Sequence, residues 1–245
     1  MSVDARDNSK IYNDNMMQVS LNDFVGQQKF VDTMKVSINA SKMRGEILPH
    51  ILLVGPRGSG KNTLARAIAE ELGSQIRIIS FSALRMPSDL EPILAQVHQG
   101  DVILIENFDS IKQSQADILT PAMDSFALDI VIGRGAAAKN IHLDLPQFTL
   151  IATMDSEKKI PAKIRGSFSF YWYMEDYSID ELKELAKRFA VLSDVIITQE
   201  AIDKVSTYSK GSYRNLTNVM KKARDFALVK GDGIINMEIL SQVLI

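Results

Sequence analysis

The chain has 245 residues, 46% hydrophobic and 24% charged, with a formal net charge of −2 and no cysteine. That balance belongs to an ordinary globular protein, large enough for one sizeable domain and a small one. It excludes disulfides and cysteine-ligated zinc, fits a reducing compartment, and gives nucleic acid no global electrostatic attraction. No apolar run approaches the roughly 20 residues of a membrane-spanning helix, so no membrane contact and a cytoplasmic location are expected. His50, His98 and His142 show no metal-ligand spacing.

Residues 1–18 are polar, rich in Asn and Asp and without periodicity. They read as a flexible tail and lack the apolar core of a signal peptide. "GQQKFVDTMKVSINASKMRGE" places Phe30, Met34 and Ile38 at helical spacing, with Gly45 as a stop. "HILLVG" predicts a short buried strand. "KNTLARAIAEELG" predicts a helix with Leu64, Ile68 and Leu72 on one face, closed by Gly73. "IRIIS" reads as a strand, "SDLEPILAQVHQG" as a helix and "DVILIE" as a strand, and "FTLIAT" and "FSFYWYM" read as two more. Strands alternating with helices predict a mostly parallel sheet covered on both faces.

The stretch 126–148 differs. "LDIVI" and "IHLDL" alternate apolar and polar residues, and "GRGAAAK" joins them, which predicts a β-hairpin over 128–145. It is either a decoration of the sheet edge or a projecting arm that docks a partner. From Ser178 onward the pattern is purely helical. Ser178 and Glu181 have the spacing of a capping box. The domain boundary therefore falls near residues 175–177, with an α/β domain over 19–176 and a small helical domain over 177–245.

"GPRGSGKNT" follows a strand and opens a helix, with Gly55, Gly60 and Lys61 in the G-x-x-x-x-G-K pattern. Such glycines turn the backbone tightly, so that N–H groups of Pro56-flanking residues Arg57, Gly58 and Ser59 and of the helix start can face phosphate oxygens. The helix N-terminus adds positive potential and the lysine reaches the terminal phosphates. The next residue should carry a hydroxyl for Mg²⁺, and here it is Asn62. Thr63 comes one position late, a rotation of about 100° around the helix. The strand "VILIE" ends in Glu106 and Asn107, where nucleotide hydrolases commonly place Asp and Glu.

"DFVGQ", "GPRGSGKNTLA", "GDVILIEN", "PAMDSFALDIVIGRGAAAKNIHLDLPQFTLI" and "GSYRNLTNVMKKARDFALVKGDGII" together resemble the RuvB family. These are bacterial AAA+ motors that drive branch migration of Holliday junctions with their partner RuvA. The resemblance runs from about Leu21 to the C-terminus. It implies a P-loop α/β domain carrying a β-hairpin insertion, followed by a small α-helical lid. RuvB sequences normally continue into a winged-helix DNA-binding domain, and this chain stops before it.

By this resemblance Lys61 is the phosphate-loop lysine, and Arg214 is the lid arginine that senses the terminal phosphate, with Tyr213 where proline is usual. Phe24, Val25 and Tyr177 fall where the family packs adenine. The hairpin 128–145 matches the arm that grips RuvA. The cofactor implied is ATP or ADP, and a ring oligomer, homogeneous or mixed, is implied as well. Several positions depart from the family. Asn62 replaces the metal-binding hydroxyl and Glu106 the metal-site aspartate, which puts the Mg²⁺ site in question. Asn107 replaces the glutamate that orients water. Asp155 stands where Thr or Asn usually meets the terminal phosphate. In "IRGSF" the arginine donated to the neighbouring subunit is replaced by Ser167, and Arg165 lies two residues too early.

Metal ligation, water activation and charge stabilisation in trans are each damaged, while the phosphate cradle is kept. The expected function is nucleotide binding with weak or absent hydrolysis, in a regulatory or structural subunit working with RuvA. An active branch-migration motor, with Asp109 as a substitute base, and a nucleotide-free RuvA-binding protein are the alternatives. Lys158, Lys159, Lys163 and Arg165 form a modest basic cluster that reads as a solvated loop face, so contact with junction DNA is expected to be indirect. "FYWY" reads as sheet core or interface rather than as a base-stacking platform.

Overall fold

The computed structural model describes residues 20–84, 86–132, 139–156 and 160–244. The tail expected at 1–18, the hairpin tip at 133–138, Lys158 and Lys159 lie outside the described residues.

Helix α1 (Gln28–Arg44) buries Phe30, Val31, Met34 and Ile38 on one face and ends at Gly45, whose φ of 67° is the left-handed conformation that glycine tolerates. Strand β1 (Ile51–Val54) is followed by the glycine-rich loop and α2 (Lys61–Leu72). Next come β2 (Ile76–Ser80), α3 (Leu90–Leu94), β3 (Val102–Glu106) and α4 (Gln113–Asp124). The hairpin strands β4 (Ala127–Ile132) and β5 (Lys139–Asp144) precede β6 (Thr149–Met154), α5 (Ala162–Arg165) and β7 (Phe170–Tyr173). The lid holds α6 (Ile179–Leu192), β8 (Ile196–Ile197), α7 (Gln199–Tyr208), α8 (Tyr213–Lys230), β9 (Ile234–Ile235) and α9 (Met237–Val243).

Five parallel strands form the main sheet in the order β2-β3-β6-β1-β7. Side chains alternate between its faces, as the pleat requires. Leu52, Val54, Ile103, Ile105, Leu150 and Ala152 join one core with Leu90 and Leu94 of α3 and Ala116, Leu119 and Met123 of α4. Ile51, Leu53, Val102, Leu104 and Ile151 join another with Met34 and Ile38 of α1 and Leu64 and Ile68 of α2. The sheet is thus covered on both faces, as the alternating pattern predicts. Phe170 and Trp172 pack against the second core, with Phe30 and Trp172 ring centroids 5.0 Å apart. A third core, built on Leu182, Phe189, Leu216 and Met220, belongs to the lid.

Two local expectations need correction, and one helix is added. "SDLEPILAQVHQG" is not one helix but a 3₁₀ turn (Pro87–Asp89) leading into the five-residue α3. Beyond Leu94 the backbone tightens, with Val97 N–H bonding to the Leu94 carbonyl, and the Asp101 carboxylate accepts the His98 N–H and turns the chain toward β3. Helix α4, for which the sequence reading offers no element, carries Pro121. The helix tolerates it within the last turn, and Thr120 donates to the Ala116 carbonyl at 2.7 Å. The lid is not purely helical, because β8 and β9 pair in parallel through Ile196–Ile197 and Ile234–Ile235.

Candidate functional site

Parallel sheets of this kind offer ligands the crevice at the carboxyl ends of their strands. Here β3, β6 and β1 are neighbours, and their ends bring Glu106, Thr153, Asp155 and the glycine-rich loop together. Lys61, Asn62, Glu106, Asn107 and Asp155 line one cavity of about 450 Å³. Arg57, Gly58, Gly60 and Thr63 contribute from the loop and α2, and Tyr213, Arg214 and Thr217 from the lid. The expected phosphate-loop, strand-end and lid groups therefore meet in one place.

The loop is shaped for close approach. Gly58 and Gly60 have φ of 92° and 89°. A Cβ on Gly60 would lie 2.5 Å from the Tyr177 hydroxyl and 3.3 Å from the Phe24 ring, and one on Gly58 would collide with the Ser212 hydroxyl. Gly60 precedes α2 as its cap without a side-chain hydrogen bond, so the first N–H groups of that helix are orphan donors beside the cavity. An anion fits this arrangement. Ser59 is buried behind the loop, and its hydroxyl has no partner among the described residues. Phe24, Val25 and Tyr177 are all buried. Phe24 and Tyr177 close on Gly60 from behind, and burial pushes the Tyr177 phenol upward.

The lid is seated directly on the loop. The Tyr213 N–H donates to the Gly58 carbonyl at 3.0 Å, and the Ser212 hydroxyl to the Arg57 carbonyl at 3.4 Å. Ser212 caps α8, whose first turn carries Arg214 into the cavity wall.

Lys61 spends its three donors on the Gly55 carbonyl at 2.5 Å, the Pro56 carbonyl at 2.9 Å and the Asp155 carboxylate at 3.2 Å. The other Asp155 oxygen accepts from Arg57 Nε at 2.8 Å. Burial lowers the Lys61 ammonium and outweighs the Asp155 bond that raises it. Burial would raise the Asp155 carboxyl, but the hydrogen bonds and charges of Arg57 and Lys61 outweigh it and hold the group below the usual carboxylate range.

Asn62 is tied at both ends. Its Nδ2 donates to Glu106 at 2.5 Å, and its Oδ1 accepts from Thr153 Oγ1 at 3.1 Å. Turning the amide over would set its oxygen against the Glu106 carboxylate, so Glu106 decides which end faces it. A divalent cation at this point would need oxygen ligands from both side chains, whereas Asn62 presents an N–H donor. As placed, these residues do not fit the Mg²⁺ that the resemblance implies. Among the described residues, no three His, Cys, Asp or Glu side chains group as metal ligands elsewhere. Thr153 had not been singled out from sequence. Its signal was that "FTLIAT" ends in a polar residue at the level of Glu106.

Asn107 adopts φ 57° and ψ 44°, left-handed values that Asn tolerates better than most residues, and its Nδ2 lies 3.5 Å from Ser80 Oγ. Arg165 ends α5 and does not line the cavity. Its guanidinium lies 5.2 Å from the centre of the Tyr171 ring. Asp109 also lies off the cavity wall, and its charge acts on Arg57.

The family model described as the Holliday junction DNA helicase RuvB P-loop domain matches residues 16–174, and that described as the RuvB AAA lid domain matches residues 177–245. Among solved structures, the Thermotoga maritima RuvB Holliday junction branch migration motor shares 30% identity at a TM-score of 0.81, over 94% of this chain and 72% of that one. A proline-to-glycine mutant of Thermotoga maritima RuvB shares 32% identity at a TM-score of 0.82, over 92% of this chain and 71% of that one. An alanine-to-serine mutant of the same RuvB shares 31% at a TM-score of 0.83, over 94% and 72%.

Proposed function

This chain belongs to the RuvB family, over both its P-loop and lid regions, and from that membership we propose that it binds ATP or ADP with weak or absent hydrolysis. Its role is that of a regulatory or structural ring subunit in Holliday-junction processing, joined to a RuvA-like partner. The observation that carries this reading is the Asn62–Glu106 hydrogen bond. An amide N–H points at the acid where a hydrolase of this fold would hold a cation between hydroxyl and carboxylate. Asn107 supplies no carboxylate to take a proton from water, and loss of a positioned general base costs about 10²–10⁴ in rate. The cradle formed by Gly58, Gly60 and Lys61, with Arg214 of the lid set beside Gly58, supports retained nucleotide binding.

The hairpin supports the partner assignment. Leu128 is buried, Ile130 and Leu143 pack on the core, and Ile141 on the same face is 45% exposed. The apolar face therefore continues past the core that covers its base. Among the described residues, no helix is long and apolar enough to cross a membrane.

The test is steady-state ATP turnover with Mg²⁺, RuvA and junction DNA, for the native chain and for an Asn62→Thr, Asn107→Glu double variant. The native chain is expected to show no turnover above background, and the variant a gain of about 10²-fold or more. Robust native turnover would instead support an active branch-migration motor.

A further inference from the structure

Asp155 follows β6 directly and reaches across the mouth of the cavity to the P-loop. Its two oxygens are held by different cations, Lys61 Nζ at 3.2 Å and Arg57 Nε at 2.8 Å. The Lys61 side chain is 10% exposed and that of Asp155 37%, so the Lys61 pair is partly shielded from water, whereas Arg57 is open to solvent at 74%.

In a P-loop the backbone amides cradle the α- and β-phosphates, and the lysine reaches the β- and γ-phosphates. A diphosphate can use the loop amides and the N-terminus of α2 and share Lys61 through its β-phosphate, with no phosphate beyond it set against Asp155. A terminal phosphate must compete for the third donor of Lys61, and it brings its charge beside a carboxylate. Among the described residues the strand ends offer no cation ligand pair against that repulsion, because the Asn62 amide already satisfies Glu106. Of the cavity's cations, Lys61 and Arg57 are held by Asp155, which leaves Arg214 to meet the added charge.

We propose that Asp155 is a built-in competitor for the terminal phosphate, which makes this a site selective for nucleoside diphosphate over triphosphate and independent of divalent cations. The inference rests on the nucleotide-binding reading above and names its ligand. Asp155 is a specificity-determining residue here, acting through the donors that it occupies.

Fluorescent ADP and ATP analogues titrated into the native chain and into Asp155→Asn and Asp155→Ser variants, each in EDTA and in Mg²⁺, test it. The native chain is expected to prefer the diphosphate by about tenfold or more, with little effect of EDTA. Both variants are expected to gain about tenfold or more in triphosphate affinity, with diphosphate affinity moving by less than about threefold. Equal native affinities for the two nucleotides, or equal shifts for both in the variants, would overturn the proposal. If the native chain binds neither nucleotide but the variants bind triphosphate, the proposed selectivity falls, and Asp155 blocks the site rather than choosing its ligand. If neither native chain nor variants bind, with all melting cooperatively, the selectivity and the nucleotide-binding reading both fall.

Discussion

Asn62 shows how one side chain can reset a site. Its amide bonds Glu106 on one side and Thr153 on the other, so three residues that could have gathered around a cation instead satisfy one another. Thr153 is 3% exposed, and Thr153→Val keeps its shape while leaving Asn62 Oδ1 without that donor. The expected loss is about 1–3 kcal/mol of stability, read as a lowered urea midpoint; an unchanged midpoint would mean the Asn62 amide is not held through Thr153. The glycine loop and Lys61 were legible in the sequence because their pattern is local. The two pairings that decide the chemistry were not. Asn62 meets Glu106 across 44 positions and Lys61 meets Asp155 across 94, and only the strand order β3-β6-β1 brings those ends together. Sequence could flag Asp155 as a charge near the terminal phosphate but could not show that Lys61 and Arg57 would clasp it.

At the scale of elements, His50 fastens the hairpin side of the molecule to the sheet. Its Nε2–H donates to the Met123 carbonyl at the end of α4 at 3.0 Å, and its Nδ1 accepts the Leu150 N–H of β6 at 2.9 Å. The neutral imidazole is therefore the form the fold uses, and burial lowers its pKa against the smaller opposing effects of Met123 and Asp124. On the exposed hairpin, His142 bonds Asp129 across the strands at 2.8 Å, and that bond and charge raise its pKa. The signs are opposite. Stability contributed by neutral His50 is present above the unfolded value of about 6.5 and is lost as pH falls through the lower folded value. The His142 contribution is present below about 6.5 and fades as pH rises through its folded value. NMR titration should place His50 below and His142 above about 6.5. Thermal melts should show stability falling from neutral to mildly acidic pH, less steeply in His50→Gln. A His50 that titrates normally would contradict its locked tautomer. The hairpin itself was legible from its period-two alternation. Strands β8 and β9 were not, since two-residue strands leave no periodic signal and form where α6 and α8 hold them side by side.

Across the whole molecule, the P-loop domain and the lid keep separate cores but meet over the cavity of the candidate site. The lid reaches the loop through a backbone bond, Tyr213 to Gly58, a contact made without any side chain of the site. The alternation of strands and helices, followed by a helical run, made this two-part organisation readable. The seating of Tyr213 and Ser212 on Gly58 was not readable, because it is a close approach between distant glycine and cap residues. The chain thus keeps the family's P-loop and lid regions, and in the function proposed above the residues at its hydrolytic positions pair with one another. The measurement that tests this most directly is a single-turnover experiment, with the chain in excess over γ-labelled ATP in Mg²⁺ and with RuvA and junction DNA present. The expected result is label remaining in ATP over many minutes. Release of phosphate at about 1 per second or faster, the range of typical turnover, would contradict a nucleotide site stripped of its chemistry.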